Sequence, residues 1–135
     1  MLSFRSILSV IFCSTLVLTI ACTDTQPSVP LDREFVLAPG EAANVEAANV
    51  RIRFEGVEGD SRCPADAICI QGGDAVVRIL VLTAWQAQDY ALHTGDMRPV
   101  RHADLTIRLV ELSPYPFSSR TIKPDEYRAT LRVTR

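Results

Sequence analysis

The chain has 135 residues, 47% of them hydrophobic, with 14 basic and 16 acidic side chains and a formal charge of −2. That length bounds it at one ordinary domain with a modest core. The near balance of charge excludes a dedicated nucleic-acid binder, which carries a clear basic excess.

The first predicted element is an export signal. Met1–Ser6 carries one charge, Arg5; the stretch 7–21 (ILSVIFCSTLVLTIA) carries none and ends on small Ala21 before Cys22. A basic start, an apolar run and a small residue at the cut mark a secretory signal. As a helix the run would span about 22 Å at ~1.5 Å per residue, short of a bilayer core of about 30 Å, so a permanent transmembrane anchor fits worse. Thr19-Ile20-Ala21-Cys22 resembles a bacterial lipobox, with threonine where leucine is most common. The resemblance implies cleavage before Cys22, diacylglycerol on its sulfur and a further acyl group on its amine. Two or three such chains make a stable membrane anchor where one is marginal. The alternative is a plain signal cut nearby, with Cys22 an ordinary residue. Thr23, rather than aspartate, follows the cysteine, which in a Gram-negative cell points to the outer membrane, facing the periplasm.

Cleavage would leave Cys22–Arg135, 114 residues with 13 basic and 16 acidic side chains and a charge of −3. Cys13 departs with the signal and Cys22 takes lipid, so Cys63 and Cys69 remain as a pair in an oxidising compartment and are expected to form a disulfide. Closing so short a loop contributes roughly 2 kcal/mol in the chain-entropy model. A zinc site fits poorly, because five residues separate the cysteines and zinc pairs usually leave roughly two to four.

Thr23–Pro30 (TDTQPSVP) is polar and carries two prolines. It reads as a tether, so that residues 22–31 join the lipid to a domain spanning 32–135. Short strands are predicted at Glu34–Leu37 and Ala42–Glu46. The pentapeptide EAANV occurs twice in succession, at Glu41–Val45 and Glu46–Val50. The unit is too short for a solenoid, whose repeats run about 20 residues or more, and reads as two strand ends joined by a turn near Ala47-Ala48-Asn49. The same Ala-rich stretch is the one place where a short helix would fit.

Strict alternation follows at Val50–Glu55, Leu105–Leu109 and Tyr127–Thr134, the period of half-buried strands in an antiparallel sheet. Ala75–Ala84 (AVVRILVLTA) is apolar in both phases and reads as a central strand buried on both faces. Further short strands are predicted at Ala91–Thr94 and Arg98–His102. Turns are expected at Pro39-Gly40, Glu58-Gly59-Asp60, Gly72-Gly73-Asp74 and Gly95-Asp96. About seven or eight strands with frequent turns predict an all-β fold, a single antiparallel β-sandwich or small barrel, with one disulfide.

The most distinctive segment is Asp60–Asp74, DSRCPADAICIQGGD. Asp60, Ser61, Arg62, Cys63, Pro64, Cys69 and Gly72 or Gly73 resemble the shared pattern of a group of small secreted or lipid-anchored bacterial proteins of unassigned function. The likeness extends to the Pro-rich segment and the Glu126-Tyr127 strand. Where that group often has tryptophan after the second cysteine, this chain has Ile70 and Gln71. The resemblance implies fold and export, and no activity. Pro64, the disulfide and a glycine turn of positive φ would make the segment rigid, with Arg62 paired to Asp60 or Asp66. It reads first as a structural staple and second as a preorganised recognition loop. Asp60, Asp66 and Asp74 do not have the spacing of a calcium-binding EF-hand loop.

In Leu112–Pro124 (LSPYPFSSRTIKP), Pro114, Pro116 and Pro124 exclude a central strand. Tyr115 and Phe117 alternate with prolines and would either cover the core or be offered to a partner. The possible recognition residues are thus Asp60, Arg62, Pro64, Asp66, Tyr115 and Phe117. His93 and His102, on neighbouring predicted strands, would suit copper or zinc only with a third ligand, and none is evident. Arg51, Arg53, Arg108, Arg128 and Arg132 share outward phases with Glu55 and Glu126, which suggests cross-strand pairing before a basic patch. No nucleophile elbow, phosphate loop or zinc-protease motif occurs. The expectation is a non-enzymatic, lipid-anchored envelope module without cofactor, held to the membrane through Cys22, that binds another molecule, an envelope protein being one candidate, or stabilises an assembly. A protease inhibitor is the second reading and a metal-binding protein the third.

Overall fold

Alternating apolar side chains are gathered into two sheets packed face to face, with both contributing to one core. The computed structural model describes residues 26–135; the expected signal at residues 1–21, Cys22 and residues 23–25 lie outside the described residues. The strands are β1 Ser28–Val29, β2 Glu34–Leu37, β3 Ala42–Val45, β4 Val50–Asp60, β5 Ala75–Leu82, β6 Ala87–His93, β7 Val100–His102, β8 Leu105–Ser113 and β9 Arg128–Thr134. One sheet has the order β1-β3-β4-β5-β6 and the other β2-β9-β8-β7. All pairings are antiparallel except β1 with β3. The sheets do not close on each other, so the fold is a sandwich rather than a barrel.

The core is built from inward phases. Ile52 and Phe54 of β4, Val77, Ile79 and Val81 of β5, Ile107 and Leu109 of β8, and Leu131 and Val133 of β9 are all buried. β5 corrects the expectation of burial on both faces: Val76, Arg78, Leu80 and Leu82 are only half-buried. A sandwich covers each sheet on one side, so the outer apolar side chains of β5 are shielded only by their strand neighbours.

β4 also runs further than its alternation suggests. Glu58-Gly59-Asp60, expected as a turn, lies inside the strand, with Gly59 opposite Val76 and Asp60 opposite Ala75. Register shifts between Phe54 and Gly56 and between Val57 and Gly59 absorb the break. Gly56 has φ +139°, a conformation open to glycine and costly for other residues, so the first bulge needs it.

The EAANV repeat folds as two different structures. Its first copy supplies β3, and its second supplies the turn, closing with Val45 opposite Val50. Asn49 takes φ 50°, a left-handed conformation that asparagine tolerates. The expected tether is corrected at its end. Ser28 and Val29 pair with Asn44 and Val45, so the chain is already part of the sheet before residue 32.

Arg51 and Arg53 point outward from the first sheet and Arg108, Arg128 and Arg132 from the second, which puts the two sets on opposite faces. Arg132 meets its register partner Glu34 at 2.6 Å, and Arg53 pairs with Glu55. Arg132 is paired across strands and Arg53 along its own strand, so ion pairing, not a shared basic patch, accounts for these two.

Candidate contact site at the disulfide end

Where β4 ends, the chain leaves the sheet and returns to it through a narrow neck. The Ser61 amide donates to the Asp74 carbonyl at 2.7 Å. The Ser61 hydroxyl donates to that carbonyl at 2.9 Å and accepts from the Asp74 amide at 3.1 Å. Gly73 runs against this neck, and a Cβ built on it would lie 1.5 Å from the Ser61 carbonyl oxygen. The glycine turn of positive φ expected here is not formed: among the described residues the positive-φ glycines are Gly40 and Gly56. Gly73 is required by close approach of two backbones.

Inside the neck, Arg62 turns into the protein. It is 8% exposed, the one charged residue that is buried among the described residues. A buried charge is tolerated only when paired and hydrogen-bonded, and every guanidinium nitrogen of Arg62 has a partner. Its guanidinium donates to both Asp60 oxygens, Nε to Oδ1 at 2.9 Å and Nη2 to Oδ2 at 2.6 Å. Nη1 and Nη2 also donate to the carbonyls of Leu112 at 2.7 Å and Pro114 at 2.9 Å. Those carbonyls lie at the end of β8, so one side chain ties the first sheet to the second. The guanidinium also lies 5.3 Å from the centre of the Tyr115 ring, a cation–π distance.

Asp60 is shared with Tyr127, whose hydroxyl donates to Oδ2 at 3.0 Å. Burial pushes the Asp60 carboxyl up, but bonds from Arg62 and Tyr127 outweigh it and hold the group below its ordinary range. The Tyr127 phenol is pushed up to about 12, by burial first and by the neighbouring Asp60 carboxylate second.

The outer part of the loop is braced against the Pro-rich crossover. The Ala65 amide donates to the Pro116 carbonyl at 2.9 Å. The Ser118 amide and hydroxyl both donate to Asp66, the amide at 2.8 Å. These bonds hold the Asp66 carboxyl below its usual range. The Cys63–Cys69 disulfide forms as expected, with Cα atoms 6.0 Å apart. The crossover itself enters through a cis Ser113–Pro114 peptide.

The six residues singled out from sequence therefore divide. Asp60 and Arg62 are interior and fasten the loop, the part given them by the staple reading rather than by the recognition reading. Asp66 belongs to the brace, and Pro64 accepts from the Ala67 amide within the loop. Tyr115 and Phe117 flank it, 54% and 51% exposed. Sequence reasoning missed the residues that the brace displays. Ile68 and Ile70 are fully exposed, at 103% and 104% of their reference areas. No charged side chain occurs from Ala67 to Gly73. The available signal was two isoleucines flanking a cysteine in a loop too short to fold them back under itself. Fully exposed large aliphatics on a fixed loop are the arrangement found at contact sites.

The histidines do not meet. His93 Nδ1 lies 2.6 Å from Asp74 Oδ2, and His102 Nδ1 lies 3.0 Å from the Tyr90 hydroxyl. Asp74 also accepts from Thr94 and the Gly95 amide. Burial raises its carboxyl, and His93, Gly95 and Thr94 together bring it below the ordinary value. Asp60, Asp66 and Asp74 thus serve separate donors, and no group of three or more potential metal ligands is assembled among the described residues.

Two clefts are relevant to contact. One of about 260 Å³ lies between the loop neck and Tyr115, Met97 and Leu112. The other, about 480 Å³, lies at the far end of the first sheet beside Asn44, Arg51, Leu82 and Thr83. The chain matches no protein-family model, no curated protein and no solved structure.

Proposed function

We propose that the chain is a lipid-anchored, non-enzymatic module of the bacterial cell envelope that offers its disulfide end as a preformed contact surface. One observation carries this reading: Ile68 and Ile70 are fully exposed on a loop whose backbone is fastened at its neck, its base and its flank. A loop ordered before contact loses little entropy on binding. The anchor is supported by the Thr19-Ile20-Ala21-Cys22 pattern at the end of the apolar run. In a Gram-negative cell the absence of aspartate after Cys22 favours the outer membrane, facing the periplasm.

A photo-cross-linking residue in place of Ile68, irradiated in intact cells, tests the surface. An adduct is expected from position 68, and none from Gln86 at the opposite end of the sandwich. Replacing both loop cysteines by serine is expected to weaken it. A yield from position 68 no higher than from position 86 would overturn the reading. Ile68 beside Cys69 on a closed loop also suits insertion into a protease cleft. Inhibition of an extracytoplasmic protease by the purified domain, lost in Ile68→Asp, would favour that second reading.

A further inference from the structure

We infer, resting on the lipid-anchor reading above, that the occupant of the disulfide end is the surface of the bilayer that holds Cys22, with Ile68 and Ile70 seated at the lipid interface. β1 sets the geometry. Its pairing with β3, and the bond from the Asn44 amide to the Pro27 carbonyl at 2.9 Å, fasten the chain from Pro27 onward. Only Thr23, Asp24 and Thr25 lie between Cys22 and Gln26. Four Cα steps reach at most about 14 Å. The lipid and the sheet edge are therefore close neighbours, and a long stand-off is excluded.

Direction follows from strand register. β1 runs parallel to β3, from the end of β3 at Ala42, opposite Arg53, towards the end at Val45, opposite Val50. Followed backward through Pro27 and Gln26, the chain leads the other way, towards the end where Asp60 pairs with Ala75. From Leu80, the β5 partner of Arg53, to Ala75 is about 17 Å at ~3.3 Å per residue. With a reach of up to about 14 Å from that point, the acylated sulfur can come nearly level with the disulfide end.

The chemistry of the tip suits a lipid interface. Ala67–Gly73 is uncharged, and the acids that flank it, Asp66 and Asp74, are held by Ser118 and by His93, Thr94 and the Gly95 amide. Tyr115 and Phe117 add aromatic rings beside it; tyrosine in particular is favoured at the headgroup level. Two isoleucines bind a bilayer weakly by themselves. On a short tether the contact becomes intramolecular, at an effective concentration on the order of millimolar.

Trp85 supplies the control. It is the sole tryptophan, 95% exposed, on the β5–β6 turn at the opposite end. The acylated full-length protein is reconstituted into phosphatidylethanolamine–phosphatidylglycerol vesicles containing chain-brominated lipid. In the double variant Trp85→Phe, Ile68→Trp, the indole at position 68 is expected to shift to the blue and be quenched severalfold, while wild-type Trp85 is not quenched. Both positions are fully exposed, so neither change disturbs the core. An unquenched indole at position 68, or a quenched Trp85, in protein carrying acyl mass on Cys22 would overturn the inference alone. A protein adduct from position 68 without quenching would do the same and leave the contact surface standing. A mature protein without acyl mass would remove the anchor reading and the inference with it.

Discussion

Tyr127 donates its phenolic hydrogen to Asp60 Oδ2 at 3.0 Å, across 67 residues of sequence. The bond joins the residue before β9 of one sheet to the last residue of β4 in the other. Because Asp60 also holds the Arg62 guanidinium, three side chains close the end of the sandwich from which the disulfide loop projects. The loop inherits its rigidity from this knot as much as from its own disulfide.

Removing the bond should be measurable. Tyr127→Phe deletes a hydrogen bond to a carboxylate and is expected to cost about 1.5–3 kcal/mol, read from urea denaturation at neutral pH. The alkaline limb supplies a second readout. The phenol titrates near 10.0 when exposed and at about 12 in the fold. Its contribution is full below pH 10 and is lost as pH rises towards 12, because the unfolded chain ionises first. The Phe variant should lose stability less steeply over that window. An unchanged limb would place the Tyr127 hydroxyl in solvent.

Acid should act through the same knot. Asp60 is held below its ordinary value of 3.8 in the fold, so its contribution is present above that value and disappears as pH falls through the lowered one. Asp66, Asp74 and Glu126 have the same sign. Arg62→Ala leaves Asp60 buried without its cation and is expected to cost about 3–5 kcal/mol at pH 7. The deficit should shrink as Asp60 protonates. Equal deficits at pH 7 and in acid, by chemical denaturation, would contradict the ion pair.

The neck makes a matched pair of glycine substitutions informative. Gly73→Ala forces a methyl group into the Ser61 backbone and is expected to cost on the order of 3 kcal/mol. Gly72→Ala meets nothing within 4 Å and should change stability by less than about 0.5 kcal/mol. Similar denaturation midpoints for the two variants would show that the neck is wider than described.

Reduction of Cys63–Cys69 should lower stability by about 2 kcal/mol without unfolding the domain, since the bonds of Arg62, Ala65 and Asp66 persist. Thermal melts with and without reductant read this directly. Complete unfolding on reduction would make the disulfide, not the Arg62 knot, the main support.

The anchor has its own test. Cys22→Ala should abolish incorporation of a palmitate analogue and release the chain from the membrane fraction. Continued labelling would locate the acyl group elsewhere.

The sequence by itself determined the strands, because an apolar period of two is a local property: β2 was legible in full, as were the starts of β3, β4, β5 and β8. It also pointed to Cys63 and Cys69 as a disulfide, which the structure forms. What it could not determine depends on neighbours distant in the chain. Identical EAANV copies became a strand and a turn because only the first has β4 to pair with, while the second has to reverse the chain into β4. Glu58-Gly59-Asp60 stayed in β4 because β5 pairs across its bulges. Arg62 went inward because the carbonyls of Leu112 and Pro114, about fifty residues away, replace the water it gives up. Ile68 and Ile70 stayed outward because the neck at Gly73 and the brace at Ser118, both made by residues distant in the chain, leave them no core to reach.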